Sequence, residues 1–108
     1  MVDSLSEFFD RFPARVTPQR LGAWRASVVM DVTGDDGGRW LIAVSGGRMT
    51  VSRDIPEAAD TTVLVGAPEL QQIIAGTMNP NMAFMTGKLK VRGDVGHAIK
   101  LSGLLTIR

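Results

Sequence analysis

The segment 24–32 constrains the fold most strongly. Trp24, Ala26, Val28, Met30 and Val32 alternate with Arg25, Ser27, Val29 and Asp31, a period of two that sends the two sets to opposite sides of an extended chain. An oily set facing a more polar one predicts a sheet covered on one side only. Two turns continue the pattern. Gly34-Asp35-Asp36-Gly37-Gly38 leads into Arg39-Trp40-Leu41-Ile42-Ala43-Val44, and Gly46-Gly47 leads into residues 48–53. Glycine-rich turns between apolar runs are hairpin signals, so three strands in a meander are expected.

The second half of the chain alternates strands with short helices. After an acidic interval holding Asp54, Glu57 and Asp60, residues 61–65 are rich in β-branched side chains and read as a fourth strand. Pro68 suits a first helical position, Leu70, Ile73 and Ile74 share a face, and Gly76 ends the helix, with its cap falling on Ala67. Asn79-Pro80 is a cap and first-position pair for a short helix through Met82, Phe84 and Met85, closed by Gly87. Residues 88–92 form a fifth strand, with Leu89 and Val91 on one side and Lys88, Lys90 and Arg92 on the other. Asp94 then caps a last helix in which Val95, Ala98, Ile99, Leu101 and Leu105 share an arc and Gly96, His97 and Lys100 point away. Before the strands, Ser4 and Glu7 have capping-box spacing, and Leu5, Phe8, Phe9 and Phe12 recur at helical intervals. This predicts a helix that stops at Pro13, followed by a linker or broken turn over residues 14–22. The whole is an α+β arrangement with helices segregated to one face of a sheet.

A chain of 108 residues has room for one domain, residues 1–108, able to remove roughly two-thirds of its extended surface from water. Hydrophobic content of 44%, charged content of 21% and a net charge of +1 fit an ordinary soluble globular protein and do not point to nucleic acid. The lack of cysteine excludes disulfides, thiolate metal sites and thiol nucleophiles. Acids stand at Asp3 and Glu7 where a secretory signal needs cations, and no apolar run nears the ~20 residues of a bilayer span. Thr106-Ile107-Arg108 also differs from a peroxisomal Ser-Lys-Leu address. The cytoplasm is therefore the expected compartment.

Few groups offer chemistry. Gly87-Lys88 and Gly93 lack the strand, loop and helix order of a phosphate-binding Walker sequence. His97, the one histidine, lies three residues from Asp94, but the helical phase puts it on the wet face, where a solvated side chain is expected and Asp94 acts as a cap. No G-x-S-x-G elbow occurs. One histidine without cysteines leaves only carboxylates as metal ligands, and Asp35-Asp36 lacks the oxygen-ligand spacing of a calcium loop, so no metal site is expected. No cofactor and no catalysis are expected.

Two features remain. From Thr86 onward Lys88, Lys90, Arg92, Lys100 and Arg108 face only Asp94, so the segment carries 5 − 1 = +4. Such a stripe guards a sheet edge or attracts anionic lipid head groups; Lys88, Lys90 and Arg92 are the residues assigned to a transient membrane surface. Met78, Met82 and Met85 crowd around Phe84, either as core packing or as adaptable lining for apolar guests of varied shape.

Gly76-Thr77-Met78-Asn79-Pro80, then Ala83 through Asp94 (AFMTGKLKVRGD), then Ala98, Lys100, Leu101 and Leu104 resemble the C-terminal signature of the sterol carrier protein type two (SCP2) lipid-transfer family. The meander from Trp24 and the acidic interval before Thr61 follow the order of that family, so the resemblance covers nearly the whole chain. It implies a five-stranded, mostly antiparallel sheet with helices on one face enclosing an apolar tunnel, and a non-catalytic carrier of sterols, fatty acids or fatty acyl-CoA. The alternative it leaves open is an accessory or homodimerising module that presents lipid or an apolar substrate to a partner enzyme. Phe84, Met85, Leu101 and Leu104 carry over as ligand-binding positions. Ile74, Met78, Met82 and Leu105 complete the expected lining.

Overall fold

The computed structural model describes residues 5–105 apart from Asp36 and Glu57. The capping-box residue Ser4 and the tripeptide 106–108 lie outside these. The elements run α1 (Leu5–Arg15), α2 (Pro18–Leu21), β1 (Ala26–Thr33), β2 (Gly38–Ser45), β3 (Arg48–Ser52), β4 (Thr61–Gly66), α3 (Ala67–Ala75), α4 (Pro80–Met85), β5 (Leu89–Gly93) and α5 (Val95–Leu105). The five strands form one sheet in the order β3-β2-β1-β4-β5. Every neighbouring pair is antiparallel except β1 and β4, which run parallel with Val28 opposite Thr61 and Val32 opposite Val65. A parallel pair cannot be closed by a tight turn. The chain instead crosses from the edge strand β3 through residues 53–60 to reach the far side of β1.

The predicted alternation decides which face the helices cover. Val28, Met30 and Val32 of β1, Trp40, Ile42 and Val44 of β2, Met49 of β3, Val63 and Val65 of β4 and Leu89 of β5 all join one core cluster. Helix residues of the same cluster, Leu5, Phe9, Phe12, Leu70, Ile73, Leu101 and Leu105 among them, lie over that face. The opposite face holds Ser27, Asp31, Leu41, Leu64, Lys90 and Arg92 and none of the core cluster. Val29 sits on this second face yet is only 5% exposed, shielded by its position on the central strand.

Several boundaries differ from the sequence expectation. Helix α1 continues through Pro13 to Arg15: near a helix end the missing proline N–H costs one bond, and its fixed φ still suits the helix. Residues expected to be a linker include α2, whose cap Thr17 accepts from the Arg20 N–H and whose first residue is Pro18. The cap of α3 is Gly66, not Ala67. Gly76 closes α3 in the left-handed conformation at φ 81°, where glycine carries no Cβ penalty. Val95, expected on the oily arc of α5, is 41% exposed, whereas Ala98 one turn on is fully buried: the arc is covered from the second turn of the helix onward.

Candidate functional site

The layer between helices and sheet has two chemically distinct halves. Over β2 the rings of Phe8, Phe9 and Phe12 pack together, and Phe9 meets Trp40 at 4.6 Å between centroids. The Arg53 guanidinium lies over the Trp40 ring at 4.7 Å from its centroid. Large flat rings in such contact make a stiff filling. Over β1, β4 and β5 the layer is aliphatic, built from Leu70, Ile73 and Ile74 of α3, Ala98, Leu101, Leu104 and Leu105 of α5, and Val63, Val65 and Leu89 below them. Met78 and Val91 pack against its border.

Of the residues expected to meet a ligand, Ile74, Leu101, Leu104 and Leu105 come together inside this aliphatic half, with Met78 half-buried beside them. Met82, Phe84 and Met85 do not join them; they lie on the outside of α4 with exposures of 58%, 37% and 80%. Only Ala83 of that helix is fully buried.

The bonds that hold α4 in shape are all local. Asn79 Oδ1 accepts from the N–H groups of Asn81 at 2.8 Å and Met82 at 3.4 Å. Thr86 Oγ1 donates to the Met82 carbonyl at 2.8 Å, and Lys88 N–H donates to the Ala83 carbonyl at 2.9 Å. All but the Lys88 bond, which ties the helix to the entry of β5, lie within α4 and its two caps. Gly76 and Gly87, at φ 81° and 79°, flank the segment as residues that change backbone conformation at little cost. Helix α4 packs against β5 and α5, and Ala83 is the one fully buried side chain it contributes.

A polar knot fixes the opposite end of α5. Asp60 N–H donates to Ser27 Oγ while Ser27 N–H donates to Asp60 Oδ2, both at 3.0 Å. The buried Thr61 hydroxyl donates to the Asp94 carbonyl at 3.0 Å, and Asp94 Oδ1 caps α5 by accepting from His97 N–H at 3.3 Å. His97 is not the solvated surface group its helical phase suggested. Its side chain is 26% exposed, and Nδ1 accepts a 2.9 Å bond from Trp24 Nε1–H. An indole nitrogen can only donate, so Nδ1 must hold the lone pair and the ring proton of the neutral form sits on Nε2. That nitrogen faces Asp94 Oδ2 at 3.9 Å, too far for a hydrogen bond. Trp24 and His97 stand 73 residues apart, and no local signal in either segment announces the pairing.

Lys90 and Arg92 are exposed along β5, an outer strand of the sheet, and Lys88 is exposed in the turn just before it. Lys90 and Arg92 stand opposite Leu64 and Thr62 on the face without helices. Among the described residues no cluster of three or more His, Asp or Glu side chains could hold a metal ion, and no helix is long and apolar enough to cross a membrane.

Comparison with known proteins gives one consistent result. Residues 5–106 match the SCP-2 sterol transfer family. Sterol carrier protein 2 of Rattus norvegicus is 35% identical over 86 residues, which are 80% of this chain and 16% of that protein. Among solved structures, the stereoselective inverting sec-alkylsulfatase Pisa1 from Pseudomonas sp. superposes with a TM-score of 0.77 at 23% identity, over 96% of this chain and 16% of that one. Palmitated SCP2L2 from Aedes aegypti superposes with a TM-score of 0.73 at 22% identity, over 94% of both chains. The chain spans only 16% of the length of the rat relative.

Proposed function

The chain belongs to the SCP-2 sterol transfer family, and from that premise we propose that it binds and transfers apolar lipids without catalysis. The guest occupies the aliphatic half of the layer, between α3, α5 and the strands β4 and β5. Ile74, Leu101, Leu104 and Leu105 contact it inside, Met78 lines the border, and α4 is the door, with Met82, Phe84 and Met85 meeting the guest as it passes. The observation that supports this most is the attachment of α4. A helix with one buried side chain, Ala83, loses little contact area when it swings out, so its opening lies at the low end of local stabilities.

The energetics suit a carrier. Each methylene removed from water contributes about 0.8 kcal/mol, so a sixteen-carbon tail gains roughly 10 kcal/mol before ordering costs. A bilayer offers the same gain, which leaves exchange between membrane and protein close to balance. A non-catalytic reading agrees with the polar knot, where the Trp24 indole occupies the lone pair that His97 would need as a base.

A second reading is favoured by one fact: the chain spans 16% of both the rat relative and the sec-alkylsulfatase. On this reading it is an accessory module that presents an apolar molecule to an enzyme, or a homodimerising one. Native mass spectrometry of the purified protein, followed by calorimetric titration with palmitate and cholesterol, separates the two. Co-purified lipid and saturable binding by a monomer support the carrier; a stable dimer that ignores both ligands supports the module. Met78→Trp, which fills the border of the aliphatic half, should weaken palmitate binding at least tenfold while leaving the fold intact.

A further inference from the structure

Among the described residues the exposed large hydrophobics are Met82, Phe84, Met85 and Val95. All four fall within residues 82–95: Met82, Phe84 and Met85 together on α4, which packs against β5, and Val95 apart from them at the start of α5, past the far end of β5. The same stretch contains Lys88, Lys90 and Arg92, all exposed, with Asp94 as the only acid, so it carries 3 − 1 = +2, against +1 for the whole chain. Exposed apolar side chains scattered singly need no explanation, but a contiguous group marks a surface that something covers.

We propose that this rim docks on an anionic lipid bilayer. Strand β5 ends the sheet and α4 packs against it, so the strand and the helix form one rim. On the helix side of the edge, α4 presents Met82, Met85 and Phe84, whose flexible or flat side chains enter the boundary between head groups and acyl chains. On the other side Lys90 and Arg92 reach back to lipid phosphates along their apolar stems, and Lys88 does so at the turn. Charge decides the occupant. Two copies of this rim facing each other would set one +2 group against another, whereas an anionic leaflet complements it. The proposal rests on the carrier reading and deepens it, since the docked helix is the proposed door and opens into the phase that supplies the guest.

The test uses the full chain in cosedimentation with phosphatidylcholine vesicles, with and without phosphatidylserine, at low and high salt. Wild type should bind only the serine-lipid vesicles and release in high salt. Each cation near the surface contributes about a fivefold gain in binding, so Lys88→Gln/Lys90→Gln/Arg92→Gln should lose about a hundredfold. Met82→Ser/Met85→Ser should weaken binding with the charges intact; both residues are exposed, and circular dichroism checks that the fold survives. No binding to serine-lipid vesicles, or binding indifferent to both variants, overturns the proposal. So does sedimentation velocity showing a dimer that the methionine variant splits, with no vesicle binding. Palmitate titration without vesicles is read separately. A flat titration beside the expected vesicle results sinks the carrier reading and leaves the docking surface standing.

Discussion

Gly93→Ala and Gly87→Ala form a matched pair that isolates what the exit of β5 does for the fold. Both glycines have positive φ, 96° and 79°, so an alanine at either costs about 1–2 kcal/mol from its backbone conformation. They differ in surroundings. A Cβ at Gly87 meets nothing within 4 Å, whereas a Cβ at Gly93 lands against the Asp60 carbonyl oxygen and 3.2 Å from Thr61 Cα. Gly93 is paired with Thr61 across the β4–β5 ladder, so relief requires the strands to part. That adds an overpacking cost of about 1–3 kcal/mol. It also strains the bond from the buried Thr61 hydroxyl to Asp94, worth about 1 kcal/mol. Gly93→Ala should therefore cost about 3–6 kcal/mol, a large share of the 5–15 kcal/mol that stabilises a typical domain. Gly87→Ala should cost only the backbone term. Urea unfolding followed by tryptophan fluorescence reads both, with equal slopes confirming that the midpoints report stability. If the two variants unfold within about 0.5 kcal/mol of each other, the scatter normal for surface positions, the close approach at Gly93 carries no energetic weight and the reasoning fails.

Leu101→Ala should destabilise by about 2–5 kcal/mol because Leu101 is fully buried and its loss leaves a cavity; Met85→Ala, at an 80% exposed site, should stay within about 0.5 kcal/mol of wild type in the same unfolding assay. Asn79→Ala removes the side-chain acceptor for Asn81 and Met82, a loss of about 1 kcal/mol at the cap, and hydrogen exchange should quicken at Ala83, Thr86 and Lys88 but not in α3. His97→Phe removes the acceptor of the Trp24 indole N–H, so that N–H resonance should move upfield by NMR and its exchange with solvent should quicken, whereas His97→Gln, which retains an acceptor, should restore most of the protection.

The parts of the fold legible in the sequence are those set by neighbours a few residues apart. Alternation in 26–32, the αL glycine at Gly76, the Asn79 and Asp94 caps and the Gly46-Gly47 turn each act through local geometry, and each stands where its residues indicated. The one parallel pairing, β1 with β4, was not readable, since a register between segments 33 residues apart leaves no periodic trace in either. The Trp24–His97 bond escaped for the same reason, and a helical wheel that knows only polar and oily sides placed His97 in water. Pro13 misled because a rule for helix interiors was applied near a helix end. At the candidate site, the interior positions Leu101 and Leu105 followed from the apolar arc of α5. The outward turn of Met82 and Met85 did not, because a helix of six residues is too short for its sequence to show which side faces in.

The single parallel seam has a consequence for how the chain is made. Until residues 61–66 have left the ribosome, the strand destined for the middle of the sheet has a mate on one flank only. The nascent meander must hold Val28, Met30 and Val32 unroofed through that interval, with an open row of amides alongside. Long-range closure of this kind is slow and exposes sticky intermediates, which makes biosynthesis, more than the finished molecule, the stage at which this small domain is most vulnerable to aggregation.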